Sequence, residues 1–262
     1  MKRPTLVGIL NVTPDSFAGG GHMGADAVAA AKALVRDGAD ILDIGAESTR
    51  PGATPITAEE EWVRLGPVLA AITEASWRAK VRISIDTRHA ATAARVLALG
   101  VEIINDVGGL RDHAMIEALR DHAADIVVMH ALSIPADPSV TLPADADVIG
   151  EVFAWKVEVT RRAEACGVAP ERLIYDPGIG FGKTAAQSLA LVLHAEELVA
   201  SGGRWLFGHS RKSFLTLFTD VPATERDALT RAFSAPLAAA NVPYLRVHDV
   251  AGHRAMFERL CT

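Results

Sequence analysis

The sequence is poor in cysteine and has no long apolar run. Its two cysteines, Cys166 and Cys261, are too few for a disulfide framework and lack the spacing of a zinc site. We therefore expect a reducing compartment, the cytoplasm. The short apolar run after Lys2 and Arg3 is interrupted at Asn11, before it reaches the length of a signal peptide or a membrane span. The sequence predicts neither a targeting segment nor a membrane-spanning helix.

Basic residues are in the minority, with 26 Lys and Arg against 32 Asp and Glu and a formal net charge of -6. Broad binding to nucleic acid or to anionic lipid needs clustered basic residues, so we expect neither as a partner. An anionic substrate would have to meet a local basic site. Because 50% of the residues are hydrophobic and 22% are charged, the chain can bury a sizeable core.

Short apolar segments recur along the chain, and each is followed by a stretch in which apolar residues have helical spacing. We predict helices in these stretches, one of them over 25–37, and Thr57 with Glu60 has the capping-box pattern of a helix start. The apolar segments are predicted to be strands, at 5–12, 39–46, 80–87, 101–107, 125–130, 173–178, 204–210 and 243–249.

Alternation of strand and helix predicts parallel strands, and strands that are apolar throughout are typical of a sheet covered on both faces. With 262 residues and eight such strands, we predict an α/β fold, a (β/α)8 TIM barrel formed by a single domain over 1–262. The alternative is an open doubly wound sheet, but its G-x-G-x-x-G fingerprint is absent after the first strand.

Polar residues follow nearly every predicted strand, and in a barrel these strand ends meet at one rim, where such folds place their chemistry. Taken alone, Asp86 is more typical of a polar cap at a strand end than of a ligand contact, and Asn105 is more typical of a turn former. So many polar groups are too costly to bury without a ligand or internal partners. Together they favour a ligand site at the rim.

Seven motifs lie at the predicted strand ends: GILNVTPDSF at 8–17, DIGAESTRPG at 43–52, SIDT at 84–87, IND at 104–106, DPGIGFGK at 176–183, SRK at 210–212 and RVHD at 246–249. In residues and in order, these motifs resemble those of the dihydropteroate synthase family of pterin-binding barrels. The resemblance implies a barrel that joins a pterin diphosphate to para-aminobenzoate and releases pyrophosphate.

For the pterin, the resemblance implies contacts with Asp86, Asn105, Asp176 and Lys212. A pterin edge offers ring N–H and amine donors that an ionised carboxylate accepts in pairs, which suits Asp176. The carbonyl and ring nitrogen need a donor, which suits Lys212. Lys212 alone could be a surface lysine, and Arg211 a partner for a carboxylate.

For the diphosphate, the resemblance implies contacts with Asn11, Thr49, Arg50, Arg246 and His248. Arg246 and His248 are two residues apart on a strand and so share a face, although His248 alone could be a structural histidine. The implied cofactor is Mg2+ on the diphosphate, with Asn11 as its hard oxygen ligand from the protein.

For the aminobenzoate, the resemblance implies Pro51, Phe181 and Ser210, because a proline and an aromatic wall can sandwich a ring. Segments 13–21 and 48–54 are rich in Gly, Pro, Ser and Thr and are predicted to be loops over the site. Electrostatic stabilisation of the leaving group is expected to matter more than acid–base chemistry. The candidate catalytic residues are Asp15, Lys212, Arg246 and His248, and Asp15 could also be an ordinary loop residue.

The chain departs from the family pattern at three places. Residues 131–135 replace the usual glycine and Met-Gln pair, so we expect a reshaped fifth loop. The family forms a homodimer through its last two helices, where this chain has Leu229-Thr230 and then Pro236, a proline predicted to break or kink its helix. Ala46 replaces the second glycine of its motif, a mild change.

Two other functions remain open at this point. A related corrinoid-dependent methyltransferase would need no diphosphate site, and a noncatalytic pterin-binding homologue would keep the pocket alone. A nucleotide-binding P-loop is rejected, because residues 178–184 have three residues, not four, between the first glycine and Gly-Lys.

Overall fold

The computed structural model describes residues 2–13, 23–49 and 52–260, and within them the chain forms a closed barrel of eight parallel strands. The predicted (β/α)8 fold is confirmed. The strands are β1 (Thr5–Asn11), β2 (Ile41–Gly45), β3 (Arg82–Asp86), β4 (Ile103–Asp106), β5 (Asp125–Met129), β6 (Leu173–Asp176), β7 (Arg204–Phe207) and β8 (Tyr244–Val247). Each strand pairs with the next, and β8 closes the ring by pairing with β1, where Gly8 lies opposite Val247.

Helices follow the strands around the outside of the barrel. They are α1 (Met23–Arg36), α2 (Ala58–Thr73), α3 (Ala90–Ala98), α4 (His113–Arg120), α5 (Val148–Ala165), α6 (Ala185–Leu193), α7 (Ala195–Ala200), α8 (Asp227–Ala239) and α9 (Val250–Leu260). None of the helices in the described ranges combines the length and apolarity that a membrane crossing requires.

The observed elements agree with the predicted runs except at their ends. Every strand lies inside its predicted run and is one to three residues shorter, because residues at one or both ends of each run lie outside the strand. The capping box at the start of α2 is confirmed: the Glu60 N–H donates to Thr57 Oγ1 at 3.2 Å, and the Thr57 N–H donates to Glu60 Oε2 at 2.7 Å.

The prediction that Pro236 breaks its helix is wrong, because α8 continues through it to Ala239. Proline removes one helical N–H, but its carbonyl still accepts from the Ala240 N–H at 2.9 Å. Leu237 and Ala238 in the same turn are fully buried. Their burial offsets the lost hydrogen bond, so the last turn of the helix is retained.

The side chains that point into the barrel from the strands form two layers. The layer near the strand starts is apolar and packs as one cluster of Val7, Ile41, Ile103, Val127, Ile174 and Leu206, with Tyr244 against it. Since side chains two residues apart share a face, the next layer is formed by the residues that follow on the same strands. That layer is polar and includes Asp43, Asn105, Asp176 and Arg246. One end of the barrel is therefore filled with apolar side chains, and the polar layer forms the floor of the opposite mouth.

Candidate active site

The floor of the mouth is built around Asp43 on β2, whose side chain is 1% exposed. Its carboxylate accepts hydrogen bonds from three other strands: from Ser84 Oγ at 2.5 Å, Asn105 Nδ2 at 3.1 Å and Arg246 Nε at 2.6 Å. A buried carboxylate is tolerated when it is paired and fully hydrogen-bonded. Asp43 thereby fixes the side chains of two predicted site residues, Asn105 and Arg246.

Arg246 connects Asp43 to a second carboxylate, since its Nη2 atom donates to Asp86 Oδ2 at 2.7 Å. Burial lowers the pKa of the guanidinium, but the two carboxylates outweigh it, so the pKa of Arg246 is raised and the group stays charged. The structure thus gives Arg246 a position on the floor, held from two sides. Its contact with a diphosphate stays a prediction.

Asp86 is a buried carboxyl group on the floor whose pKa is raised. Burial raises its pKa to about 7; the charge on Arg246 opposes this rise, while Asp43 adds to it. Lys212 also lowers the pKa of Asp86. Near neutral pH the group therefore exists in both protonation states, and ionised Asp86 is the acceptor that a pterin would need.

Asp176, at the end of β6, faces the same cations. Burial raises its pKa, against the Gly178 N–H, which donates to Asp176 Oδ1 at 2.7 Å, and against the charges on Lys212 and Arg246. Lys212 and Arg246 therefore act electrostatically on both Asp86 and Asp176. Asp86 also lies opposite Asn105 where β3 pairs with β4. The mouth gathers the four residues predicted to bind the pterin: Asp86, Asn105, Asp176 and Lys212.

The loop after β6 depends on glycines with positive φ, at Gly178, Gly180 and Gly182. A Cβ atom at Gly178 would lie 1.9 Å from the carbonyl oxygen of His130, so only glycine fits there. Lys183 folds back into this loop, where its Nζ atom donates to His130 O at 3.1 Å and to Phe181 O at 3.0 Å. Burial lowers the pKa of Lys183 to about 7. This lysine ties the loops after β5 and β6 together, which agrees with the rejection of a P-loop.

Phe181 forms an apolar wall beside the mouth. The Nζ atom of Lys212 lies 4.2 Å from the centroid of its ring, a cation–π contact. Behind the ring, Phe181 packs with Val107, Met129 and Ala136. The ring therefore has a fixed position next to a cation. Its predicted contact with aminobenzoate is not tested by this geometry.

Ser210 and His248 meet at the rim above the floor. Ser210 Oγ lies 2.9 Å from His248 Nδ1 and accepts from the His248 N–H at 3.3 Å. We call these two residues the rim pair. Between Ser210 and Lys212, Arg211 turns away from the mouth and pairs with Asp227, with its Nε and Nη2 atoms 2.7 and 2.6 Å from the carboxylate oxygens. Arg211 is thus the partner of a carboxylate, the second of the two possibilities that the sequence allowed.

The loops after β1 and β2 carry the remaining predicted residues. Asn11 ends β1 opposite Gly45, which sets it at the mouth. The carbonyl oxygen of Thr49 accepts from the Ala136 N–H at 3.1 Å, so the loop after β5 contacts the loop after β2. Three predicted residues, namely Asp15, Arg50 and Pro51, lie outside the described residues.

Sequence reasoning missed the contribution of Asp43, although its motif was recognised. The available signal was a carboxylate two residues after Ile41 on an otherwise apolar strand, which indicates an inward polar group. It also missed Glu47, which anchors the start of the loop after β2: both its carboxylate oxygens accept from Arg88 at 2.8 Å, and one accepts from the Ile56 N–H at 3.0 Å.

A metal cage made by the protein alone is not found among the described residues, which contain no group of three or more His, Cys, Asp or Glu side chains placed to hold a metal ion. The amide of Asn11 is a hard oxygen donor of the kind that Mg2+ accepts.

Comparison with known proteins identifies the relatives of this chain. A sequence model of the family described as pterin binding enzyme matches residues 7–248. The dihydropteroate synthase of Neisseria meningitidis serogroup C is 41% identical over 259 residues, which cover 95% of this chain and 89% of that protein.

Longer relatives also occur. A probable bifunctional folylpolyglutamate synthase/dihydropteroate synthase from Haloferax volcanii is 41% identical over 247 residues, and the chain spans 29% of that protein's length. Among solved structures, the dihydropteroate synthase of Anaplasma phagocytophilum with bound 6-hydroxymethylpterin-monophosphate has a TM-score of 0.90 and 38% identity, with 100% of both chains covered.

Proposed function

The chain belongs to the pterin binding enzyme family, and we propose that it is a dihydropteroate synthase. It would condense 6-hydroxymethyl-7,8-dihydropterin diphosphate with para-aminobenzoate to give 7,8-dihydropteroate and pyrophosphate. The observation that carries this proposal is the convergence of Asp86, Asn105, Asp176 and Lys212 on one mouth, around the Asp43–Arg246 ion pair.

The pterin would lie on the floor of the mouth. Ionised Asp176 accepts the paired N–H donors of the pterin edge, while Lys212 donates to its carbonyl and ring nitrogen. Asn105 Nδ2 donates a hydrogen bond to Asp43 at 3.1 Å, so its Oδ1 atom can act as a further acceptor. Asp43 and Asp86 both pair with Arg246, so the positive charge of the guanidinium partly neutralises these two carboxylates.

The aminobenzoate would bind higher in the mouth, between Phe181 and the rim. The fixed ring of Phe181 supplies an apolar face, and Ser210 supplies a hydroxyl beside it. Pro51 is proposed as the opposite wall by resemblance alone. This stacking holds the amine of the second substrate above the pterin methylene.

The diphosphate would meet His248 and Arg246 with the loop residues Asn11, Thr49 and Arg50. An acidic chain with a net charge of -6 needs such local donors to hold an anionic substrate. His248 is aimed by its contact with Ser210, 2.9 Å away. Asp15 is proposed as a further catalytic residue of the loop after β1.

Mg2+ is the proposed cofactor, and the donor set fits it because Asn11 offers a hard amide oxygen at the end of β1. Asn11 would hold it together with oxygens of the diphosphate and water. When bound, Mg2+ would supply neutralisation of the charge on the diphosphate.

The reaction requires the C–O bond between the pterin methylene and the diphosphate to break, with its electron pair leaving on pyrophosphate. The positive charge that remains is delocalised into the pterin ring. The arylamine then forms the C–N bond to the methylene and releases one proton. Arg246 and His248 stabilise the departing anion, Lys212 and Asp176 orient the ring, and the apolar wall of Phe181 excludes water.

Assembly and location are proposals too. We propose a homodimer formed through α8 and α9, because Leu217, Phe218 and Val221 are 50%, 53% and 38% exposed in the segment just before α8. Light scattering in solution would measure the dimer mass. We propose the cytoplasm as its compartment, supported by the low cysteine content.

The experiment that tests the function is incubation of the purified protein with the pterin diphosphate, para-aminobenzoate and Mg2+. We expect dihydropteroate and pyrophosphate in equal amounts, and neither product when para-aminobenzoate or protein is omitted. Pterin binding without product would support the noncatalytic alternative. Methyl transfer from methyltetrahydrofolate to a corrinoid protein would support the methyltransferase alternative, and either result would overturn the proposal.

A further inference from the structure

Three polar side chains are fully buried behind the rim, on the helix side of the barrel wall. They are His209 in the loop after β7, Ser234 in α8 and His253 in α9, each with an exposed fraction of 0%. Ser234 Oγ lies 2.7 Å from His209 Nε2 and 2.8 Å from His253 Nε2. We call these three residues the histidine–serine relay. The reaction proposed above makes no use of any of them.

The hydrogen bonds of the relay continue into the backbone. His253 Nδ1 lies 2.6 Å from the carbonyl oxygen of Asp249, which can only accept, so Nδ1 carries the proton and the Nε2 atom of the neutral ring is an acceptor. Ser234 Oγ also lies 3.0 Å from the carbonyl oxygen of Thr230, a second acceptor for its one proton. The relay is therefore fixed both by contacts among its own side chains and by contacts with the backbone of α8 and of the residue before α9.

The two ends of the relay lie next to the rim pair. His209 precedes Ser210, and Asp249 follows His248. On the mouth side Ser210 contacts His248 at 2.9 Å, and on the helix side the relay joins the same two backbone segments through α8 and α9. The segments that carry the rim pair are thus tied on both sides.

The floor of the site is held by different contacts. Asp43, Asn105 and Arg246 are fixed by hydrogen bonds across the strands, and none of these bonds involves α8 or α9. Lys212 follows Arg211, which is anchored to the start of α8 by the Asp227 ion pair and by a bond from its N–H to Thr230 Oγ1 at 3.1 Å, and neither contact involves a relay side chain. A substitution that breaks the relay should therefore disturb the positions of the rim residues more than those of the floor residues.

We propose that His209, Ser234 and His253 are positioning residues, which hold Ser210 and His248 in the geometry that binds para-aminobenzoate and the diphosphate. This inference rests on the proposed function. Buried hydrogen bonds are directional and costly to leave unmade, so the relay selects one arrangement of the two segments where apolar packing would allow several.

The test compares Ser234→Ala and His253→Asn with the wild type. Ser234→Ala removes both central links, and His253→Asn keeps a donor for the Asp249 carbonyl while losing the link to Ser234. We expect each variant to raise the KM for para-aminobenzoate about 10-fold, while the affinity for 6-hydroxymethylpterin, measured by calorimetry, changes less than about threefold. If Ser234→Ala does not fold, His253→Asn still tests the same link.

The control is Thr160→Val, which removes a partly buried hydrogen bond of 2.7 Å between α5 and Tyr175, away from the rim. It should lower the melting temperature comparably without changing the KM for para-aminobenzoate. Relay variants that lose stability as this control does, yet keep the wild-type KM, would overturn the inference.

The experiments distinguish a wrong inference about the relay from a wrong proposed function. A wild-type protein that makes no dihydropteroate refutes the function, whatever the variants do. Amide hydrogen exchange in 208–212 and 248–249 is independent of turnover and should be faster in Ser234→Ala than in the wild type. Unchanged exchange in both segments would contradict the relay even in an active enzyme.

Discussion

Arg246 Nε donates to Asp43 Oδ2 at 2.6 Å, a contact between residues 203 positions apart that joins the last strand of the barrel to the second. The same guanidinium reaches Asp86 Oδ2 at 2.7 Å. One cation thus bridges two carboxylates on the floor of the mouth, and the planar guanidinium sets their relative positions. The predictions below begin with this pair.

Asp43→Asn should reduce kcat/KM for the pterin diphosphate by about 100-fold, because Arg246 loses a buried charged partner and the amide offers one acceptor oxygen where the carboxylate offers two. Steady-state kinetics measure the loss. The matched control is Asp125→Asn at the opposite end of the barrel, where the carboxylate pairs with Arg82 and Arg204. That variant should keep its activity; an Asp43→Asn enzyme as active as the control would contradict the role given to the floor.

Pterin binding should depend on pH through Asp86, whose pKa is raised to about 7 by burial. A carboxyl with a raised pKa is protonated below that value and loses its capacity to accept two donors. Affinity for 6-hydroxymethylpterin, which has no phosphate to titrate, should therefore fall as the pH is lowered from 7.5 to 5.5. Calorimetry across this range measures the effect, and an affinity independent of pH would show that Asp86 does not accept from the pterin.

Acid should destabilise the fold through His209. Burial lowers its pKa from 6.5 to about 4. Between these values the unfolded chain binds more protons than the folded one, so stability is intact above pH 6.5 and falls as the pH drops toward 4. The loss attributable to this group reaches about 3 kcal/mol at the acid end.

Urea unfolding at pH 7 and pH 5 measures this loss. His209→Gln keeps a donor for Ser234 but does not titrate, so the difference between the two pH values should shrink. His113→Gln, at a histidine whose side chain is 75% exposed, should leave the difference unchanged. Equal pH dependence in His209→Gln and the wild type would contradict the prediction.

Phe181→Ala should raise the KM for para-aminobenzoate about 10-fold, because the mouth loses its apolar wall and Lys212 loses a ring 4.2 Å away. Phe218→Ala is a control at an aromatic side chain that is 53% exposed on the surface. Initial rates at varied aminobenzoate concentration distinguish the two variants. A Phe181→Ala enzyme with an unchanged KM would remove the ring from the proposed site.

The fold and the outline of the mouth could be predicted because they depend on local pattern. Apolar strands that end in polar residues mark where each strand meets the rim, which located Asp176 and Lys212. Asp43 was missed because its importance depends on Arg246, and nothing local to β2 shows a partner 203 residues away. The helix at Pro236 was misjudged for a similar reason, since the burial of Leu237 and Ala238 is a tertiary effect.

The relay could not be predicted from local sequence either. His209, Ser234 and His253 come from three parts of the fold, and no motif in the sequence links them. Their common environment appears only when α8 and α9 pack behind β7 and β8. Residues that act through long-range contacts therefore need coordinates, whereas residues at strand ends can be assigned from the sequence.

The most direct test of the central claim is the initial rate of dihydropteroate formation by Asp176→Ala and Lys212→Ala at fixed substrate concentrations. If these side chains bind the pterin together at one mouth, each variant should retain about 1% or less of the wild-type rate while keeping its folded circular dichroism spectrum. A near-normal rate in either variant would contradict the account.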